Sequence, residues 1–132
     1  KKRDPVPTFD FAPLTNAVER LTVAARRYDA KAGEAVAAGA PQASALAAAN
    51  AVLVTAERAL TRSEGLPRRP WYVHQIYAPG FYTGYGVKTL PAVREAIEER
   101  KWDEAKAQIP HVAASIEAYA AEIERAAAAL EK

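Results

Sequence analysis

Cysteine and methionine are both missing from this 132-residue sequence. Without cysteine the chain has no disulfide, no thiolate nucleophile and no cysteine-ligated zinc site. Cysteine usage therefore does not indicate whether the protein resides in an oxidising or a reducing compartment. The chain begins at Lys1 and not at a methionine. That beginning fits either a piece of a longer protein or an engineered sequence.

Long apolar runs and a strong charge imbalance are missing as well. We find no run of about 18 apolar residues, so we expect no transmembrane helix and no membrane contact from this segment. The basic N-terminus lacks the apolar stretch of a signal peptide. The formal net charge is +2, from 18 basic and 16 acidic side chains, and so small an excess does not indicate a nucleic-acid-binding surface. The compartment is therefore unknown, and basic pairs such as Arg68-Arg69 are interpreted as solvated surface.

Apolar positions that recur every three or four residues predict four helices. The predicted bounds are 13–38, 42–63, 91–100 and 103–131. Pro13 and Pro91 stand in first helical turns, where proline is favoured, and Gly65 ends the second helix. The second helix is predicted to begin at Pro41 or Gln42.

The first and last helices have the clearest predicted buried faces. The positions in the first helix are Leu14, Val18, Leu21, Ala25, Tyr28, Ala32 and Ala35. The positions in the last helix are Trp102, Ala105, Ile109, Val112, Ile116, Tyr119, Ile123, Ala126 and Leu130. Pro110 does not change the phase of the last pattern, so we expect a kink near Pro110 and not a break. Either Asp103 caps this helix, or Trp102 precedes it as a hydrophobic staple.

A long irregular segment, residues 65–90, lies between the second and third predicted helices. It holds six of the 11 aromatic residues and four of the six glycines. Disordered segments are poor in aromatics, so we predict an ordered loop that its aromatic side chains pin to the surrounding helices. With an extended arm over residues 1–12, the prediction is one all-α domain spanning residues 1–132. Its architecture is a four-helix bundle with one short helix and a long ordered aromatic loop.

The residue pattern does not predict a catalytic or metal site. His74 and His111, the only histidines, lie on different predicted elements, and the HExxH zinc motif is missing. No serine lies in a GxSxG elbow, and the glycine-rich run 80–86 lacks the lysine of a phosphate-binding loop. The glutamates of the last two helices, among them Glu95, are interpreted as solvated surface. We therefore expect neither enzyme activity nor a cofactor on this segment.

The loop also carries a specific motif. Its residues are Gly65-Leu66-Pro67, Arg69-Pro70-Trp71-Tyr72, His74, Ile76-Tyr77-Ala78-Pro79, Tyr85 and Leu90-Pro91. With the helical patterns on both sides, this motif resembles the transferrin-receptor-like dimerisation domain. That domain is the C-terminal helical part of the glutamate carboxypeptidase II family of zinc peptidases and of the transferrin receptors. The resemblance covers nearly the whole chain, from about Asp4 to the end.

The resemblance implies a non-catalytic domain that builds a homodimer interface. It also implies that one loop of the domain lines the substrate cavity of the neighbouring peptidase domain in the parent chain. In the family the zinc ions are bound by other domains, and the proteins are often secreted or extracytoplasmic. We therefore expect a homodimer and a peptidase domain as partners, and no nucleic acid.

Within the loop, the resemblance assigns roles to single residues. Tyr85 matches the tyrosine of a lysine–tyrosine pair that binds the terminal carboxylate of the substrate, whereas Gly84 stands where the lysine is expected. Tyr82 and Lys88 are further candidates for substrate contact, Lys88 as a replacement cation. The structural part of the motif consists of Pro70, Trp71, Tyr72, His74, Tyr77 and Pro79.

Two other hypotheses stay open. One is a freestanding or engineered helical bundle that binds a small ligand or a partner peptide through the aromatic loop. Tyr82 and Tyr85, which small residues flank, suit that role because tyrosine combines an apolar face with a hydrogen-bonding tip. The other is a small enzyme that uses His74 with a loop tyrosine, and it requires a measured activity that His74→Ala abolishes.

Overall fold

The computed structural model describes residues 3–39 and 42–132. Most of these residues are helical. The helices are α1 (Ala12–Ala37), α2 (Ala43–Ala56), α3 (Pro91–Glu98) and α4 (Trp102–Leu130), with one turn of 3-10 helix (Glu57–Leu60) directly after α2. Two short strands lie inside the long loop, β1 (Tyr77–Pro79) and β2 (Val87–Thr89). The predicted all-α class is confirmed, with a small β-hairpin added to it.

The helix ends follow from local chemistry. Proline occupies one of the first two positions of α1 and of α3, where its missing amide hydrogen has no helical partner to lose. Helix α4 begins at Trp102, so Asp103 lies in its first turn and not at the N-cap, and an acidic residue in the first turn is favourable near the positive end of the helix. Helix α4 continues through Pro110, which is exposed. The predicted start at Pro41 lies outside the described residues, and α2 begins at Ala43.

The N-terminal arm, described from Arg3 onwards, has no regular secondary structure before α1. Phe9 packs against the main core, and its ring centroid lies 6.0 Å from that of Trp102. The backbone carbonyl of Asp4 accepts a hydrogen bond from the guanidinium of Arg100. These contacts hold the arm along the junction of α3 and α4.

Helix α4 is the element on which the core is built. Its buried residues recur every three or four positions, as its sequence pattern predicts. They include Ala105, Ile109, Val112, Ile116, Ala120, Ile123 and Ala126. The main apolar cluster connects this face to α1, to the loop and to α3 through Leu14, Ala17, Leu66, Ala78, Ala92 and Val93. Because all three elements pack on α4, the loop is part of the core and not an appendage.

The buried side of α1 overlaps its predicted face, because Leu21 and Tyr28 pack against the apolar clusters, but it departs from that face at two positions. Leu14 is buried as expected, but the next buried residues are Ala17 and Ala24. Val18 is 51% exposed, and Ala25 is exposed as well. Alanine is so frequent in α1 that its apolar pattern does not distinguish neighbouring faces of the helix. The helix therefore turns Ala17 and Ala24 inward together with its leucines, and Val18 is left outside.

Charged side chains connect α1 to α4 along their length. Arg20 donates to Glu117 at 2.6 Å and to the two carboxylate oxygens of Glu124 at 3.0 and 2.9 Å. Arg27 donates to Glu131 at 2.8 Å. Arg20–Glu124 and Arg27–Glu131 have the same sequence separation of 104 residues, so the two helices run parallel. These side chains are 36–46% exposed, so the ion pairs orient the helices more than they stabilise the fold.

Acid should weaken these α1–α4 ion pairs in a defined pH range. The hydrogen bonds from Arg20 hold the pKa of the Glu124 carboxyl below its ordinary value of 4.5. Because the folded-state pKa is depressed, the stabilisation is complete above pH 4.5 and is lost as the pH falls through the lowered pKa. We expect Glu124→Gln to be less stable than the wild-type chain near neutral pH, and to lose less stability on acidification below pH 4.5. Urea unfolding at a series of pH values measures both effects.

Asp29→Asn is the control for this experiment. Asp29 lies on the exposed part of α1 and forms no ion pair within residues 3–39 and 42–132. Its acid profile should follow that of the wild-type chain. Identical acid profiles for Glu124→Gln and the wild-type chain would contradict the prediction.

Candidate functional site: the aromatic loop

The candidate site is the segment 61–90, whose base is closed by backbone hydrogen bonds. The Arg62 amide donates to the Val73 carbonyl at 2.9 Å, and the Gln75 amide donates to the Leu60 carbonyl at 2.9 Å. The Gln75 side chain is fully buried, and its nitrogen donates to the Val73 carbonyl at 3.1 Å. These bonds return the chain to the 3-10 turn from which the loop departs.

Gly65 makes a turn in the loop that requires glycine. Its φ of +69° is in the left-handed region, and a Cβ there would collide with the backbone carbonyl of Pro70. The Leu66 amide then donates to the Tyr72 carbonyl at 3.0 Å, and both of these side chains contact the main core. The turn therefore anchors the segment that carries Arg69.

A β-hairpin forms the outer half of the loop. Strands β1 and β2 pair antiparallel, and beyond them the Gly80 amide donates to the Gly86 carbonyl at 2.8 Å. Gly84, with φ +72°, donates its amide to the Gly80 carbonyl at 2.8 Å. A Cβ at Gly80 would collide with the Thr83 hydroxyl. Residues 80–86, which we call the hairpin tip, are therefore a tight, closed turn.

A buried ion pair holds this hairpin against α3. Arg69 donates to the Glu95 carboxylate at 2.6 Å and to the Pro79 carbonyl at 2.6 Å. The second Glu95 oxygen accepts the Phe81 amide at 2.9 Å. The side chains of Arg69 and Glu95 are only 11% and 8% exposed. We call this arrangement the hairpin clamp. The interpretation of both residues as solvated surface is wrong, because nothing in their sequence spacing indicates that they meet.

Aromatic rings surround the arginine of the hairpin clamp. The Arg69 guanidinium lies 5.5 Å from the Phe81 ring centroid and 6.0 Å from the Tyr72 ring centroid. At such distances the negative face of a ring attracts a guanidinium. Arg68, its neighbour in sequence, donates instead to Glu104 of α4 at 2.7 Å. The two adjacent arginines thus bind the loop to different helices.

The predicted substrate-contact residues fall into two groups. Tyr85 is 91% exposed and Tyr82 is 75% exposed, both on the hairpin tip. Lys88 lies on β2, and its ammonium donates to Glu98 of α3 at 2.9 Å. Hydrogen bonds from Lys88 and Arg94 hold the pKa of Glu98 below its ordinary value. The charge of Lys88 is therefore already matched, whereas the hairpin tip carries only uncharged side chains.

His74 and Tyr77 share one acceptor on the 3-10 turn. The His74 Nδ1 accepts the Ile76 amide at 3.2 Å, which assigns the ring proton to Nε2, 3.2 Å from Glu57 Oε1. The Tyr77 hydroxyl donates to the same oxygen at 3.1 Å, and its ring centroid lies 4.1 Å from that of His74. The hydrogen bond to Glu57 raises the pKa of Tyr77. This arrangement ties the start of the hairpin to the end of α2.

The other motif residues divide between the core and the solvent. Tyr72 contacts the main core, and the Pro79 carbonyl belongs to the hairpin clamp. Trp71 is 74% exposed, and Pro70 is exposed too. The expectation that aromatic side chains pin the loop is therefore wrong for Trp71, while Tyr82 and Tyr85, which small residues flank, project into solvent. The loop is held by backbone hydrogen bonds, by the hairpin clamp and by the contacts of Tyr72 and Tyr77.

Zinc does not fit the residues of this segment. Over residues 3–39 and 42–132, no three His, Asp or Glu side chains lie close enough together to hold a metal ion. His74 lies in the loop and His111 lies on α4. In the same described part of the chain, no helix combines the length and the apolar character needed to cross a membrane.

These observations define a class of domain. It is a helical bundle that is built on one long helix and carries a clamped hairpin between α2 and α3. The family model for the transferrin receptor-like dimerisation domain matches residues 9–124. The chain belongs to this family, and the resemblance in its loop motif is confirmed. In this family the dimerisation domain is not the catalytic part of the protein.

Two relatives are named as probable glutamate carboxypeptidases. One of them, LAMP1 of Arabidopsis thaliana, is 37% identical over 115 residues, which cover 82% of this chain and 16% of the relative. The other, from Arthroderma benhamiae, is 44% identical over 41 residues, which cover 31% of this chain and 6% of the relative. The chain therefore spans only a small part of the length of these relatives.

Removing one side of the hairpin clamp should destabilise the chain strongly. Arg69→Met leaves the Glu95 carboxylate buried without its counter-charge, so the free energy of unfolding should fall by about 3–5 kcal/mol. Glu95→Gln keeps an oxygen acceptor but leaves the arginine unmatched, and it should also destabilise. Urea unfolding followed by circular dichroism measures both losses.

Arg94→Met is the matched control for the hairpin clamp. It removes an ion pair with Glu98 in which the side chains are 48% and 44% exposed, and the free energy of unfolding should fall by at most about 1 kcal/mol.

The double variant Arg69→Met with Glu95→Met should lose less stability than the sum of the two single changes, because no buried charge is then left alone. Equal losses in Arg69→Met and Arg94→Met would refute the clamp.

Proposed function

We propose that this chain is the homodimer-forming, non-catalytic domain of a larger protein similar to the glutamate carboxypeptidases. We further propose that the hairpin tip lines the substrate cavity of a neighbouring peptidase domain. Family membership supports the first statement. One observation supports the second: Tyr82 and Tyr85 project from a tip whose base is clamped to α3.

The hairpin tip is suited to contact another surface because it is exposed and yet held in place. The Phe81 ring packs edge-on against the Tyr82 ring, with 4.9 Å between centroids, and the Phe81 amide is bound by Glu95. Aromatic side chains on an ordered base lose little conformational entropy when they bind. The peptidase domain of the parent chain is the partner that we propose for this tip.

Tyr85 is the residue that we propose for substrate contact. Its phenol donates a hydrogen bond to a substrate carboxylate, while its ring offers an apolar face. Gly84 has no side chain, and Lys88 is bound to Glu98, so neither position supplies a cation beside Tyr85. Recognition at the tip then depends on hydrogen bonding and apolar contact and not on charge pairing. The selectivity for an acidic terminal residue is correspondingly weak.

The purified chain should form a dimer in solution. Size-exclusion chromatography with light scattering should give twice the 14.2 kDa mass of one chain. On dilution, the dimer fraction should fall as a single dissociation constant requires. A monomer at every concentration would overturn self-sufficient dimerisation and would favour the freestanding bundle that binds a ligand through its aromatic loop.

Tyr85→Phe, made in the intact protein that contains this chain, tests the cavity role. Losing a hydrogen bond to a charged group should lower kcat/KM for a peptide substrate by about tenfold or more. Val54→Ala, at an α2 position that is 82% exposed, is the control and should leave kcat/KM unchanged. An unchanged kcat/KM in both Tyr85→Phe and Tyr85→Ala would exclude substrate contact by this residue.

A further inference from the structure

Helix α1 presents one continuous face to solvent. Its members are Thr15, Val18, Glu19, Thr22, Val23 and Arg26. All six residues are exposed, and the two valines are 51% and 66% exposed. We call this surface the α1 outer face. It lies on the side of α1 away from the buried Ala17 and Ala24.

The two charged residues of the α1 outer face have no partner in the described chain. On the inner side, Arg20 is bound by glutamates of α4, and Arg27 is bound by Glu131 directly after α4. Glu19 and Arg26 form no ion pair with any residue of 3–39 or 42–132. Helix α1 therefore has its inner arginines paired, whereas Glu19 and Arg26, like the exposed Asp29 further along the helix, form no ion pair within the described residues.

The spacing of these two charges is self-complementary. Glu19 and Arg26 are seven positions apart, which is close to two helical turns, so they lie on one side of the helix. The midpoint between them falls at Thr22 and Val23. A second α1, related by a two-fold axis at this midpoint, runs antiparallel and places the partner's Arg26 opposite Glu19. A parallel pairing in register would bring like charges together instead.

We propose that the α1 outer face pairs with the same face of a second copy, antiparallel across a two-fold axis beside Thr22. This inference rests on the homodimer of the proposed function and names the surface that forms it. The central side chains are small, which lets two helix axes approach to about 8–10 Å. Val18 continues the contact into an apolar groove of about 320 Å³ between α1 and the loop. Glu19 and Arg26 lie on the facing line, one turn to either side of its centre, where their charges set register and direction more than affinity.

Charge reversal tests the register of this contact. Glu19→Arg and Arg26→Glu each place like charges opposite each other twice in the dimer, and each should raise the dissociation constant by about tenfold. Combining the two changes restores opposite charges and should return the dissociation constant to near the wild-type value. Arg125→Glu, at a position of α4 whose side chain is 65% exposed, is the control and should leave it unchanged. Light scattering over a dilution series gives these constants.

A single introduced cysteine tests the position of the two-fold axis, since the chain has no cysteine of its own. With axes about 8–10 Å apart and Cα atoms about 2.3 Å from each axis, facing Cα atoms lie within disulfide reach. Thr22→Cys should therefore form a covalent dimer on mild oxidation, visible on a non-reducing gel. Val54→Cys, on α2 and 82% exposed in the wild-type chain, should stay monomeric on the same gel.

The outcomes distinguish the proposed α1 contact from the proposed homodimer, so that each can fail without being confused with the other. The α1 contact is overturned if the wild-type chain is a dimer and both single charge-reversal variants dimerise as tightly, or if Thr22→Cys gives no cross-link. The proposed homodimer still stands in that case. A monomeric wild-type chain overturns both. Weak dimers in the single variants, recovery in the double variant and selective cross-linking at Thr22→Cys support the contact. Circular dichroism checks that every variant is folded, and recovery in the double variant separates charge pairing from damage to the fold.

Discussion

The buried ion pair between Arg69 and Glu95 is the contact on which the shape of the loop depends. Two charges removed from water are stable only where good geometry and further hydrogen bonds compensate for the lost hydration. Here Glu95 also accepts the Phe81 amide, and Arg69 also donates to the Pro79 carbonyl. Glu95 belongs to α3, which packs on α4. The pair therefore fixes the position of the hairpin relative to the helical core.

This constraint explains how a loop without long strands can present an ordered tip. The hairpin tip gains its position from the clamp and from glycines that permit a tight turn, and not from burial of its own side chains. Binding residues are often found on loops that a rigid scaffold positions. In this chain the scaffold is α3 on α4, and the positioned side chains are Tyr82 and Tyr85.

Comparing α4 with α1 shows when a periodic pattern predicts a face and when it does not. In α4, large residues such as Ile109, Val112 and Ile116 recur every three or four positions, and the predicted face is the buried one. In α1, alanine occupies several faces, so the energetic difference between neighbouring orientations is small. The inner ion pairs with α4 and the burial of Ala17 and Ala24 then determine which side turns inward.

By itself, the sequence determined the all-α class, the family and the buried face of α4, because these depend on local periodicity and on a motif contiguous in the chain. It also located the aromatic loop. Only the tertiary structure decided that Arg69 and Glu95 are buried together, that Lys88 is bound to Glu98, and that Val18 faces solvent. Each of these facts depends on contacts between elements distant in the sequence. A charged or alanine-rich position has no fixed environment until those elements pack.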